Sequence, residues 1–376
     1  MTDKKAISPK DTTTFKEAPF LALKGFLMGS ADIVPGVSGG TMALIVGIYE
    51  RLLNAIKSVN STFLKSFFTF KWKQAFAEVH ILFLVVLFSG IFAALAFFTK
   101  VVPLQIYMFT HPEIVYGLFF GLIVGSIYIL IKALERFSKI EMGMLVLGIA
   151  FGIWIVSLVP AETPEHPAFV FLSGSIAICA MILPGISGSY LLLIMRKYDY
   201  LLSQIGMIGG VETVDGIMGL LPFILGAIVG LAAFSRFLSW LLSKYHPQTI
   251  AVLIGFLIGS LYVIWPYQHR EFVEQVRETE VLYMTDEKVQ KLMENPPNTN
   301  LPEYERIGET FNAESTFDEM KQVEVETVKN KMIKSKPFIP GWLGSKPGDD
   351  PNVWGGVLGM LIGIIMVGGL DRLREK

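Results

Sequence analysis

Two long apolar segments of this chain are interrupted by the same polar, glycine-rich break, and that pairing limits the possible folds more than any other feature. The first segment covers residues 18–56 and is broken by Asp32-Ile33-Val34-Pro35-Gly36-Val37-Ser38-Gly39-Gly40-Thr41. The second covers 169–202 and is broken by Leu183-Pro184-Gly185-Ile186-Ser187-Gly188-Ser189-Tyr190. Proline removes a backbone donor and glycine permits conformations that other residues avoid, so each segment is expected to be helix, turn, helix. Lipid cannot satisfy the amides that a break exposes. A break at membrane depth is therefore tolerated only where protein buries it or where it lines a polar cavity. Both segments read as re-entrant hairpins.

Around them lie uninterrupted apolar stretches at 80–101, 113–131, 140–159 and 218–242, with two more at 249–265 and 353–370. A bilayer core about 30 Å thick needs roughly 20 such residues per helix. With 52% hydrophobic and only 17% charged residues, the fold class expected is an all-α integral membrane protein.

The chain repeats itself. Pro35-Gly36-Val37-Ser38-Gly39 matches Pro184-Gly185-Ile186-Ser187-Gly188 at an offset of 149, and Tyr49 with Leu52-Leu53 matches Tyr198 with Leu201-Leu202. Gly90, Leu95, Ala96, Phe98 and Lys100 align with Gly226, Leu231, Ala232, Phe234 and Arg236. His111-Pro112, Gly121, Gly125, Ser126 and Tyr128 align with His246-Pro247, Gly255, Gly259, Ser260 and Tyr262, and Leu147-Gly148 and Gly152 with Leu358-Gly359 and Gly363. Each unit reads hairpin, span, span, span: residues 17–159 form one and 169–265 with 351–371 the other. A hairpin does not cross, so each unit crosses three times and the second copy is expected to be inverted.

The charges test that parity. With residues 1–16 as a cytoplasmic tail, Arg51, Lys57, Lys65, Lys71, Lys73, Lys132, Arg136, Lys139, Lys244, Arg372 and Arg374 all fall on the inner face, as the positive-inside rule requires. Arg196 and Lys197 are the exceptions. The location expected is the cytoplasmic membrane, with both termini inside. Residues 266–350 hold 11 Lys/Arg and 17 Asp/Glu. They form an acidic extracytoplasmic insertion, expected to be partly helical at 286–294 and 314–333. Phe63, Leu64, Phe67, Phe68, Phe70 and Trp72 interleave with lysines, which fits a segment lying on anionic lipid. The first apolar run contains Asp32 and lacks an Ala-x-Ala-like cleavage site, so its retention is expected.

A net charge of −1 gives no footprint for nucleic acid. Cys179 is the only cysteine and the five histidines show no metal spacing, so no metal or other cofactor is expected. The chemistry then rests on the breaks. Helices restarting at Gly40-Thr41 and Ser189-Tyr190 would aim N–H groups and positive helix ends at the centre, an arrangement suited to a phosphate. The candidate phosphate-binding residues are Ser38, Gly39, Gly40, Thr41, Ser187, Gly188, Ser189 and Tyr190. The alternative is a helix break that only packs against a neighbour. Ionisable residues inside a bilayer are functional candidates by default. Asp32, whose repeat partner is Met181, and Glu50 are candidates for proton coupling, the alternative for Asp32 being a helix-end carboxylate bonded to Ser30 or Ser38. Arg51, Lys100, Arg196, Lys197 and Arg236 are candidates for the entrance and exit of a charged headgroup, or else snorkelling anchors.

These residues resemble the bacterial and archaeal polyprenyl-phosphate transporters of the PopT type. The resemblance covers the membrane body from about residue 16 to 265 together with the last span, and is most specific over Asp32 to Thr41, Gly47-Ile48-Tyr49-Glu50 and Leu183 to Ser189. It implies a flippase that returns undecaprenyl phosphate across the cytoplasmic membrane for recycling of the cell-wall lipid carrier, with that lipid and the surrounding membrane lipids as partners. It implies no enzymatic activity. Two other classes remain open. Membrane-embedded polyprenyl-diphosphate phosphatases share a Pro-Gly-x-Ser motif, but theirs continues with Arg-Ser, where this chain has Gly39 and Gly188. A small-anion transporter or channel would also use helix ends to hold its ion.

Overall fold

The computed structural model describes residues 13–34, 38–59, 61–72, 79–134, 138–158, 163–210, 212–299, 301–311, 321–346 and 349–374. Most of the N-terminal tail, Pro35-Gly36-Val37 of the first break, Lys73, Arg136 and residues 314–320 lie outside them. The chain forms two compact units. One is drawn from Met1–Val102, Leu118–Ile264 and Gly359–Lys376, the other from Pro103–Gly117 and Trp265–Leu358.

The first unit is helical. The first broken segment is α1 (Ala18–Asp32), α2 (Gly39–Ile45) and α3 (Tyr49–Ser58), followed by α4 (Ser61–Phe68). Then come α5 (Ile81–Lys100), the short α6 (Leu104–Thr110), which belongs to the second unit, α7 (Pro112–Ala133) and α8 (Lys139–Val156). The second broken segment is α9 (Pro167–Ile182), α10 (Gly188–Ile194) and α11 (Lys197–Gly206). It leads into α12 (Thr213–Lys244) and α13 (His246–Ile264). Among the described residues five helices are long and apolar enough to cross a membrane: α5, α7, α8, α12 and α13. The sixth expected span is α15 (Val353–Arg374), whose apolar part, Val353–Gly369, is shorter. At the end of α4 and just beyond it, Phe68 and Phe70 are more than 70% exposed, in keeping with a segment lying on lipid.

Each broken segment has one joint more than the sequence led us to expect. Beyond the central break, a second kink separates the short helix from the next one. It falls at Gly47 (φ 71°) in the first copy and at Arg196 (φ 54°) in the second, positions 149 apart. The residues before them, Val46 and Met195, close their helices with nearly identical dihedrals, φ −81°, ψ 6° and φ −79°, ψ 5°. Glycine adopts a left-handed φ freely. Arginine pays about 1–2 kcal/mol for it, so at Arg196 packing imposes the geometry on an unfavourable residue.

Close helix packing explains the glycines. Gly25 of α1 meets the backbone of Leu87 on α5, and Gly90 of α5 meets that of Ala22. In the second copy Gly174 of α9 meets Phe223 on α12, and Gly226 meets Phe171. Under the sequence alignment these are the same contacts. The later spans exchange partners between copies: Gly121 of α7 abuts Met360 of α15, and Gly255 of α13 abuts Leu145 and Gly148 of α8. Any side chain at these positions would push two backbones apart.

The second unit corrects the all-α reading. Residues 266–350 contain a three-stranded antiparallel sheet, order β1-β3-β2, made of β1 (Gln268–Tyr283), β2 (Glu303–Phe311) and β3 (Gln322–Pro337). The helix expected over 286–294 is present as α14 (Glu287–Glu294). The helix expected up to residue 333 is instead β3. Val323 and Val325 alternate with Glu324 and Glu326, and that period of two places the valines in a small core with Val289 of α14. Charge content had suggested a solvated helix, whereas alternation is the pattern of a half-buried strand. Arg306 ties the strands together, donating to Glu274 on β1 (2.6 Å) and Glu326 on β3 (2.7 Å). The hydrogen bond from Tyr304, and then Arg306, hold the Glu274 carboxyl below its usual range.

Candidate functional site

The two breaks lie far apart in sequence and touch in the structure. Thr41 Oγ1 accepts a hydrogen bond from the Gly185 N–H at 2.8 Å. Ser38 Oγ donates to the Met181 carbonyl at 3.2 Å, and the Tyr49 hydroxyl to the Ile182 carbonyl at 3.0 Å. The C-terminal carbonyls of α9, which no later turn of helix can satisfy, are thus taken up by hydroxyls from the first copy. Ser38, Thr41 and Tyr49 are all buried. Glycine is required on both sides of this contact. A Cβ on Gly40 would stand 2.7 Å from the Ile182 carbonyl oxygen, and one on Gly185, at φ +83°, 2.6 Å from that of Phe256.

The short helices are capped from within. Ser38 accepts from the Gly40 N–H at 3.2 Å and Ser187 from the Tyr190 N–H at 3.4 Å, ordinary N-caps that follow from an extended serine before a helix. The capping differs in one respect. In the first copy Asp32 Oδ1 also accepts from the Gly39 N–H at 2.6 Å, so a carboxylate of the chain itself occupies that helix end. In the second copy the matching residue is the exposed Met181, and Ser187 Oγ lies 2.9 Å from Ser189 Oγ. The Gly188 and Ser189 N–H groups meet no acceptor among the described residues, and Ser189 is exposed. Of the eight phosphate-binding candidates, then, Ser38, Gly40 and Thr41 join the breaks, Gly39 binds Asp32, Ser187 and Ser189 form the more open surface, and Gly188 is buried between them against α9. The Tyr190 hydroxyl donates to the Val156 carbonyl at 2.9 Å.

The other charged candidates separate. Glu50 lies 3.0 Å from His246 Nε2, a partnership that nothing in the sequence signals beyond His246 starting a matched span. Arg51 donates to Thr13 (2.7 Å), sits 3.8 Å from Glu17 and lies over the Phe83 ring. Lys100 is exposed at the last position of α5. Arg236 lies within α12, eight residues before its end at Lys244. Its guanidinium bends back onto the Ala232 carbonyl of its own helix at 2.5 Å. Arg196 is exposed, but Lys197 is only 1% exposed and so is not displayed at a surface. Its ammonium donates to the Thr163 carbonyl at 3.2 Å and faces the Phe169 and Tyr200 rings.

No carboxylate among the described residues neutralises Lys197. Methionine would keep the packed stem and remove the desolvated charge, so Lys197→Met is expected to leave the unfolding midpoint unchanged or to raise stability by about 1 kcal/mol. A large drop in a thermal unfolding assay would contradict that account of its burial.

Several of these contacts gather chain segments. Glu17 and Arg51, Glu50 and His246, and Glu141 with Gln248 (2.7 Å) join the start of α1, the start of α3, the start of α8 and the α12–α13 turn. Lys197 with Thr163, and Tyr190 with Val156, join the loop after α8 to the kink between α10 and α11.

Membrane-length helices packed glycine to backbone, with two broken helices fastened to each other at their tips, define a multi-pass membrane protein with a polar junction inside its helical body. The chain belongs to the VCA0040-like family, described as undecaprenyl phosphate translocase-like, whose model matches residues 28–282 and so includes both breaks. This bears out the resemblance read from the breaks. The chain is 40% identical over 246 residues to a polyprenyl-phosphate transporter of Vibrio cholerae, covering 65% of this chain and 77% of that protein. It is 30% identical over 257 residues to a polyprenyl-phosphate transporter of Staphylococcus aureus, covering 65% of this chain and 85% of that one. No solved structure matches it.

Proposed function

We propose that this protein carries a polyprenyl phosphate, with undecaprenyl phosphate the favoured substrate, across the cytoplasmic membrane as a flippase. The single observation that carries the reading is the junction of the two breaks, held by Thr41 with Gly185 and by Ser38 with Met181, in a chain of this family. A phosphate monoester needs donors to replace water while it crosses hydrocarbon. The Ser187 and Ser189 hydroxyls and the Gly188 and Ser189 amides supply them at one helix end, and the isoprenoid tail stays in lipid. Matched kinks and matched glycine contacts support two units of one architecture, and three crossings per unit make the second inverted. Rocking of one repeat against the other exposes the site alternately to each face.

Asp32 sits at the junction, where its Oδ1 accepts from the Gly39 N–H, and its ionised form would repel an anionic headgroup until a proton neutralises one of them. Proton carriage by Asp32 therefore couples transport to the membrane potential, with Glu50, paired to His246, as the second candidate. Arg196, at the kink, and Lys100 serve as headgroup collars. The gathering of residues 17, 50–51, 141 and 246–248 at one end agrees with the distribution of Lys and Arg, and supports a cytoplasmic inner end with residues 266–350 outside.

The test is reconstitution in liposomes containing polyprenyl phosphate, with an impermeant phosphatase added outside. Transport is expected to extend hydrolysis from the outer-leaflet fraction to the whole pool. Hydrolysis that stops where protein-free liposomes stop rejects the reading, and uptake of inorganic phosphate by the same vesicles would favour the small-anion alternative.

A further inference from the structure

Apart from the transport site, the second unit displays a turn whose side chains do not suit water. Trp342 is 76% and Leu343 68% exposed, and nearby Trp354 is 83% exposed. The turn is built, not slack. The Ile339 N–H donates to the Leu343 carbonyl at 2.8 Å and the Trp342 N–H to the Ile339 carbonyl at 2.9 Å. Gly341 and Gly344 take the left-handed φ values, +72° and +79°, that reverse the chain. Its root is fixed by Phe338, which is buried, stacks on His269 at 4.4 Å, donates through its N–H to the Tyr267 carbonyl (3.0 Å) and accepts from Trp265 Nε1 (2.8 Å).

The root also fixes where the turn stands. Trp265 directly follows the last residue of α13, a membrane-length helix. Tyr267, which holds Phe338, donates its hydroxyl to the carbonyl of Val353, the first residue of the apolar helix α15, at 2.8 Å. The turn is therefore rooted beside the residue that follows one apolar helix and the residue that begins another. Tryptophan concentrates in the headgroup layer because its ring is apolar and its N–H polar. Exposed Lys336 and Lys346 flank the turn and suit lipid phosphates.

We propose that residues 338–344 are an interfacial anchor that inserts Trp342 and Leu343 into the membrane face at which α13 ends and α15 begins. The partner is the lipid bilayer itself. The anchor holds the sheet unit against the membrane and is independent of which substrate the junction carries.

The experiment replaces the single cysteine (Cys179→Ala) and places an environment-sensitive fluorophore at Trp342→Cys, Leu343→Cys or, as reference, Val281→Cys near the far end of β1. Each full-length variant is placed in nanodiscs with or without a nitroxide at a shallow acyl position. Expected is a blue-shifted emission and at least twofold stronger nitroxide quenching at 342 and 343 than at 281. Quenching at both sites no greater than at 281 overturns the proposal. So does a blue shift without quenching, which would place protein against the turn instead of lipid. Two label sites guard against a label that displaces the turn, since lipid contact at either supports the anchor.

Discussion

Gly185→Ala is expected to reduce transport by more than tenfold and to lower stability on the order of 2–4 kcal/mol. Two effects add. The residue holds φ +83°, and its new methyl would stand 2.6 Å from the Phe256 carbonyl oxygen and 2.8 Å from its carbon. Both neighbours are backbone of α13, so no side chain can rotate away. Either α13 or the tip of the second break must move, and moving the tip takes its N–H away from Thr41. Thr41→Val tests the lost hydrogen bond without the strain or the clash. It keeps the shape and removes only the acceptor, leaving one buried N–H unpaired at a cost of about 1–3 kcal/mol. Unfolding midpoints in detergent, paired with the liposome assay, give both readouts. If Gly185→Ala is stable and transports normally, contact between the breaks is not required for function.

Asp32→Asn is expected to abolish proton-coupled transport while leaving the fold nearly intact. The asparagine oxygen can still accept from the Gly39 N–H, which the carboxylate holds at 2.6 Å, so the helix keeps a cap. The difference is confined to charge and to the ability to take up a proton. Asp32→Ala adds loss of the cap, about 1 kcal/mol. If Asp32→Asn transports like the wild type, and collapse of the proton gradient leaves its rate unchanged, then Asp32 is a capping residue and the coupling proposal fails. The position is informative because the repeat does not preserve it. The second copy has Met181 there, so the protein maintains one carboxylate at a junction of two otherwise similar ends.

Much of the helical body was legible in the sequence because its signals are local. A crossing needs a run of apolar residues, and proline with glycine marks where a run must break, so the breaks and the membrane-length helices could be read directly. The matched glycines were legible too, and in the structure they mark backbone contacts: Gly90 meets Ala22 as Gly226 meets Phe171. The sheet was missed for a different reason. Its glutamates and lysines resemble a solvated helix, and only the spacing of Val323 and Val325 betrays the strand. The kink at Arg196 was invisible because arginine gives no sign of a left-handed φ. Only its alignment with Gly47 points to one.

The sequence by itself determined the class of protein, the two breaks and the residues that line them, since the bilayer imposes length, polarity and hydrogen-bond satisfaction on every segment separately. Only the tertiary structure decided what each of those residues does. Partners 144 residues apart along the chain, such as Thr41 and Gly185, are chosen by how helices pack, and packing turned Ser38 and Thr41 into fasteners. It left Ser187 and Ser189 as the open face and enclosed Lys197 beneath two aromatic rings.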